Sequence, residues 1–294
     1  IMDKFGKSQP VKRVEDTRFL TGAGRYVDDI APESALRAYV LRSPVAHGTI
    51  ATLDVTEARA APGVHLVVTG QDMLDAGYDT AMNATLTKNR DGTPAAAPKR
   101  PTLAEGRVRF VGEPVAMVVA ETLEQARDAA ELIELEIDDL PVVTELGPSR
   151  DVIHPEAPEN RAFDFGIGDE DATAAAIDGA ARVVRMEVTN NRIIANSMEP
   201  RGAFAEFEDG RLHLAFGGQG VWGMKAQLSR MLHLPPEQVR VTNHDVGGGF
   251  GTKTMPYPEY FALAHAAMTL GRPVRWMSER TEAMLSDNAG RDLV

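Results

Sequence analysis

The sequence predicts an α+β protein built in two parts. Runs that alternate apolar and polar residues, the period-2 pattern of strands, recur along the whole chain. Between them lie segments whose apolar residues fall three and four apart, the helical period. One long stretch, residues 146–165, has neither pattern and divides the chain. A length of 294 residues fits one large domain or two ordinary ones. Hydrophobic residues at 43% suffice for a core, and 25% charged residues mark a globular chain rather than a disordered one.

Residues 13–30, RVEDTRFLTGAGRYVDDI, are polar and glycine-punctuated, and read as an irregular lead-in turning at Gly22 to Gly24. ALRAYVLRS (35–43) and HGTIATLDV (47–55) alternate like strands. A short helix opens at Thr56 and stops at Pro62–Gly63. VHLVVTG (64–70) is a third, more buried strand, and 79–104 reads as a surface loop. VRFVGEPVAMVVA (108–120) is strand, turn, strand. TLEQARDAAELI (122–133) is an amphipathic helix in which Thr122 and Gln125 form a capping box, and 134–141 returns as a strand.

The expected domains are therefore 13–145 and 166–294, joined by the Pro-rich linker 146–165. In the second, a helix is expected over 169–180, a strand over 181–193 and a hairpin over 202–218 turning at Asp209–Gly210. A helix over 222–234, a strand over 237–246, a helix over 256–271 and a strand over 272–280 follow. Too few layers follow to close this part, so the apolar face YFALAHAAM (260–268) should lack partners. Cleavage within 146–165 should then leave a stable N-terminal piece.

The 31 basic against 43 acidic residues give a net charge of −12, which argues against nucleic acid as a partner. The basic residues of TKNRDGTPAAAPKRP (87–101) are too dilute to form a patch. The chain contains no cysteine, so it cannot itself supply a disulfide, a thiolate zinc site, a Cys nucleophile or a Cys-held iron–sulfur cluster. This composition is expected of a reducing compartment, the cytoplasm. No apolar run approaches the ~18 residues of a membrane span, and the N-terminal stretch has no apolar core of a secretory signal.

Three short stretches could carry chemistry. VTNHDVGGGFGTKT (241–254) places Gly247, Gly248, Gly249 and Gly251 within five positions, with Phe250 among them and Lys253 just after. Such a run serves either a tight turn or the close approach of a ligand to the backbone. Four glycines, each costing roughly 0.5–1 kcal/mol relative to alanine, favour the ligand. Neither the Walker nor the dinucleotide spacing is met, because Thr252 stands where each needs another residue. AFGGQGVWG (215–223) flanks Gln219, a neutral two-way hydrogen-bonding group, with Gly218 and Gly220; a hairpin end with a solvated Gln is the plainer alternative. NSMEPRG (196–202) sets Glu199 before a proline, in a buried pair with Arg201 or in a surface turn. The seven histidines are scattered, with no H-E-x-x-H pattern, and no G-x-S-x-G elbow is present. Backbone-rich neutral loops without a metal-ligand cluster or a nucleophile suit a large preassembled cofactor that does its own chemistry.

At these residues the chain resembles a known family. RVEDTRFLTGAGRYVDDI, LRSPVAHGTI, GEPVAMVVAETLEQARDAAELIELEIDDLP, MEPRGAFAEF, DVGGGFGTK and GRPVRWMSERTE stand in the order seen in molybdenum hydroxylase large subunits. These form the xanthine oxidase family, and the likeness is to its aerobic carbon monoxide dehydrogenase-like branch. The resemblance implies an α/β hammerhead domain followed by the first part of a molybdopterin-binding domain. It implies that Gln219 lies beside the molybdenum as the catalytic glutamine. Gly218, Gln219, Gly220, Gly248, Gly249, Phe250 and Gly251 would face the cofactor, with no protein ligand to the metal. The cofactor would be molybdenum–molybdopterin, in its cytosine dinucleotide form.

FAD on a medium subunit and [2Fe-2S] on a small subunit would take the electrons, in a dimer of heterotrimers. The implied reaction is hydroxylation of an aldehyde or N-heterocycle with water-derived oxygen, or oxidation of carbon monoxide. Two departures stand out. Large subunits of the family are much longer, and their glutamate base falls beyond the point matching Val294, on the remainder of the large subunit; Glu199 is not that base. The local GGQG also differs from the TQ more usual in the family. Outside this resemblance, a non-catalytic assembly or scaffold chain and a nucleotide- or phosphate-binding module are the rival readings.

Overall fold

The computed structural model describes residues 12–82, 87–147, 149–288 and 290–291. Two short helices, α1 (Asp16–Leu20) and α2 (Val27–Ile30), come first among the described residues, where an irregular lead-in was expected. Strands β1 (Leu36–Arg42) and β2 (Gly48–Asp54) follow, then α3 (Thr56–Ala60), β3 (Val64–Thr69) and α4 (Gly70–Asp75). After the long loop come β4 (Arg107–Val108), β5 (Pro114–Ala120), α5 (Leu123–Glu131) and β6 (Glu134–Asp139). The second segment holds α6 (Glu170–Asp178), β7 (Gly202–Glu208), β8 (Arg211–Phe216), α7 (Trp222–Met231), β9 (Val239–Thr242), α8 (Pro258–Leu270), β10 (Val274–Met277) and α9 (Arg280–Ser286).

One seven-stranded sheet runs through both segments, in the order β3-β5-β1-β10-β7-β8-β9. The seam between them is the parallel pairing of β1 with β10, Leu36 opposite Val274 and Arg37 opposite Arg275. β5 reads PVAMVVA and is buried at every residue, as its unbroken apolar run requires of a strand covered on both faces. On one face lie α3 and α5, packed over Val67, Ala116, Val118 and Ala120 in a core drawn from the first segment. Thr122 caps α5 as its sequence predicts, accepting from the Gln125 amide while the Gln125 side chain returns to Thr122 N. The other face belongs to α8, whose Phe261 and Leu263 share a core with Leu36, Val68 and Met117 of the first segment and Leu214 and Trp276 of the second. A separate three-stranded sheet, β4-β2-β6, stands beside these layers.

Four expectations change. YFALAHAAM does not lack partners: α8 is buried against strands of both segments, because the sheet it covers is continuous. The first segment therefore closes only one of its two faces with its own helices. The loop over 79–104 is not all surface, since Met82 and Leu103 drop into the core; residues 83–86 lie outside the described residues. Residues 181–193 alternate like a strand yet form none, and Val184 and Met186 stay exposed. Among the described residues this stretch pairs through an isolated bridge, Ile193 with Gly290, rather than through a ladder, and alternation alone cannot supply one. Helix α9 was not anticipated, although Glu279 and Glu282 give it a capping box.

Candidate cofactor-binding site

β8, α7 and β9 form one strand–helix–strand unit, and β8 pairs with β9 in parallel. The loops that leave the C-terminal ends of these neighbouring strands consequently open on the same side, where ligands of open sheets are held. One loop carries Gly217 to Val221; the other runs from Asn243 to a 3-10 turn at Thr252–Thr254. Four hydrogen bonds join or shape them. Asn243 Nδ2 donates to Gly218 O at 2.9 Å, and Gly218 N donates back to Phe216 O at 3.1 Å. Gln219 N donates to Lys253 O at 3.1 Å, and Gly251 N donates to Gln219 Oε1 at 2.9 Å. Gln219 thus meets the glycine turn through its amide oxygen, and its amide nitrogen remains as the donor of an exposed side chain.

Each glycine of the run has its own geometric cause. Gly248 (φ 97°) and Gly251 (φ 91°) occupy the left-handed region that side chains resist. Gly247 lies against Glu199: an added Cβ would stand 3.1 Å from Glu199 N and overlap its Cβ. A Cβ on Gly249 would overlap the Gln219 carboxamide and lie 2.7 Å from its Cγ. Much of the close approach comes from the protein's own side chains, which sequence density alone had assigned to a ligand. Phe250, with φ 50° and 75% exposed, projects from the tip of the turn. Gly220 (φ 126°) has open space where a Cβ would go.

Below the turn sits a buried ion pair that the sequence did not announce. Lys253 Nζ donates to Glu199 Oε2 at 3.0 Å, and the same oxygen accepts from Gly247 N at 2.8 Å. Glu199 N donates in turn to Gly247 O at 3.1 Å. Burial pushes the Lys253 ammonium below its usual range, while Glu199 opposes that shift. The expected Glu199–Arg201 pair does not form; Arg201 bonds Glu259 at 2.9 Å and Asp287 at 2.5 Å. The 54 positions between Glu199 and Lys253 hide their contact from any local pattern. A lysine set just past a glycine run was the available clue. Asp245 binds the lead-in to the same loop, through the Arg18 guanidinium and through Arg25 N at 2.7 Å.

Among the described residues no group of three or more His, Cys, Asp or Glu could hold a metal ion, and no helix is long and apolar enough to cross a membrane. What the loops do offer is neutral: a carboxamide, glycine backbone and an exposed aromatic ring. That donor set fits a metal whose ligands belong to its own organic group.

Residues 21–141 match the family described as aldehyde oxidase and xanthine dehydrogenase, a/b hammerhead domain. Residues 153–294 match the molybdopterin cofactor-binding domain. The chain is 37% identical over 293 residues to the nicotine 6-hydroxylase large subunit of Paenarthrobacter nicotinovorans, covering 96% of this chain and 34% of that one. It is 32% identical to the carbon monoxide dehydrogenase large chain of Hydrogenophaga pseudoflava, over 95% of this chain and 36% of the relative. The crystal structure of quinoline 2-oxidoreductase from Pseudomonas putida 86 superposes with a TM-score of 0.80 at 34% identity, over 96% of this chain and 36% of that one. The chain therefore spans about a third of the length of the relatives it matches. With a hammerhead match, a cofactor-domain match and this fold, the chain belongs to the xanthine oxidase family of molybdenum hydroxylases.

Proposed function

We propose that the chain forms the N-terminal part of the molybdenum-cofactor catalytic subunit of an oxidoreductase. The reaction is hydroxylation of an aldehyde or N-heterocycle with water-derived oxygen, in preference to oxidation of carbon monoxide. The observation that carries this reading is the contact of Gln219 with the glycine turn, at the mouth of two parallel strands. When bound, molybdenum–molybdopterin supplies the two-electron redox chemistry. The chain's own residues bind and orient. Gln219 offers a neutral N–H donor, which stabilises developing negative charge without itself ionising. The turn from Gly248 to Gly251 keeps backbone close to the cofactor, together with Gly218 and Gly220 on the facing loop. Phe250, exposed at the tip of the turn, would face the cofactor with them.

The finer assignments extend the same reading. They are the cytosine dinucleotide form of the cofactor, a FAD-binding medium subunit, a [2Fe-2S] small subunit, the remainder of the large subunit, a dimer of heterotrimers and a cytoplasmic location. Support comes from the relatives, which are named as large subunits or large chains. The absence of cysteine supports a reading in which iron–sulfur centres are carried by another subunit.

Purification of the complete complex tests the reading in one preparation. Molybdenum, the nucleotide released from the pterin, flavin and iron are measured, and turnover is assayed with carbon monoxide and a panel of aldehydes and N-heterocycles. Molybdenum with cytosine nucleotide and turnover of an organic substrate is the expected result. Neither molybdenum nor pterin would sink the reading, and turnover of carbon monoxide alone would reverse the substrate preference.

A further inference from the structure

Glu199 and Lys253 stand outside every role given so far, yet they are the charged pair nearest the glycine turn. The Lys253 side chain is 1% exposed and that of Glu199 10%. Burying such a pair brings little net stability, because apolar residues of equal volume commonly do as well. Its geometry does something that apolar residues could not. A single oxygen, Glu199 Oε2, takes the N–H of Gly247, where the turn opens, and the ammonium of Lys253, where it closes. From Lys253 the restraint continues: its carbonyl takes the Gln219 N–H, and Gln219 Oε1 takes the Gly251 N–H. The path therefore runs from Glu199 through both ends of the turn to the carboxamide of Gln219, with each link at 2.8–3.1 Å.

We propose that the buried Glu199–Lys253 pair is the positioning device that sets the Gly247–Gly251 turn and Gln219 toward the cofactor. Glu199 acts here through the backbone and not as an acid or base. The inference rests on the cofactor reading of the site, and its test separates the two.

The variants are Lys253→Met, Glu199→Gln and the double variant, each in the complete enzyme. Lys253→Met strands a buried carboxylate, whereas the double variant is neutral and keeps an amide oxygen for Gly247. Turnover per molybdenum, KM, the electron paramagnetic resonance spectrum of the reduced molybdenum and the melting temperature are read together. Hydrogen exchange of the peptides spanning 217–221 and 245–254 is followed in the same samples. Lys253→Met is expected to lose roughly tenfold in turnover per molybdenum with KM little changed. Its resonance spectrum should alter and exchange in both peptides should quicken, with the double variant recovering most of each change.

A purely structural pair would lower the melting temperature and the molybdenum content, but the remaining molybdenum would keep the wild-type spectrum and turnover; that result overturns the inference. If the wild-type enzyme carries no molybdenum, the cofactor reading fails. Exchange then still decides the positioning claim, which falls if both peptides keep wild-type rates in Lys253→Met.

Discussion

Gln219 and Gly249 compete for one volume, and this makes their roles inseparable. Gln219→Ala should leave the metal bound and slow turnover per molybdenum, since a donor aimed at developing charge is worth ~2–4 kcal/mol. Gly249→Ala places a methyl group into the Gln219 carboxamide, so it should displace Gln219 and cause much the same loss. In the Gln219→Ala background that methyl group meets little, and the double variant should be no slower than Gln219→Ala alone. Losses that simply add would show that the two positions act independently. That Gln219 and the glycine run could carry chemistry was legible in the sequence, because glycine density and an isolated amide are local patterns, and the structure brings the two together. Asn243 and Asp245 were not legible, nor was the pairing of Glu199 with Lys253, because each acts on a partner that the chain brings back from a distance.

Helix α8 shows how one element ties the layers together through charge as well as apolar packing. Glu259, in its first turn, is fully buried and meets Arg42 at the end of β1 at 2.6 Å and Arg201 just before β7 at 2.9 Å. The Arg201 guanidinium also lies 3.7 Å from the centre of the Tyr257 ring. Burial works to raise the Glu259 pKa, but the two guanidiniums prevail and hold it well below the usual carboxylate range. A carboxylate with a depressed folded pKa stabilises above its unfolded pKa of ~4.3, and that contribution drains away as the pH falls below it. Glu259→Gln leaves both arginines short of charge and should cost ~3–5 kcal/mol near neutrality. The gap in melting temperature between wild type and variant is expected to be widest above pH ~5 and to narrow below pH ~4. A gap that stayed constant down to pH ~3 would place the stabilisation elsewhere. Strands and helices with a complete period and a cap were legible, β5 and α5 above all. Failure came at 181–193, where the period was present but the described residues pair through an isolated bridge, Ile193 with Gly290, rather than a ladder.

The whole molecule is organised by the seam between β1 and β10. Residues 149–165 contain no regular element beyond one 3-10 turn at Pro158–Asn160, so proteases should cut there first. The two pieces should then co-elute as one nicked species, because the sheet and the α8 core cross the cut. Prompt separation into a free stable N-terminal piece would restore the self-sufficient first domain that the sequence predicts. The seam also puts a clock on the folding chain. Roughly 240 residues separate Leu36 from its partner Val274, and at about 5–20 residues per second a ribosome needs roughly 12–48 s to add them. From the completion of β5 at Ala120 until Val274 follows, β1 presents an open edge beside an assembled β5, in a cell full of other nascent strands. Arg37 and Arg42 punctuate that edge, and such charges discourage foreign strands from docking. The two arginines would thus guard the nascent chain during its own synthesis, before Arg42 reaches Glu259 and turns from gatekeeper to ion-pair partner.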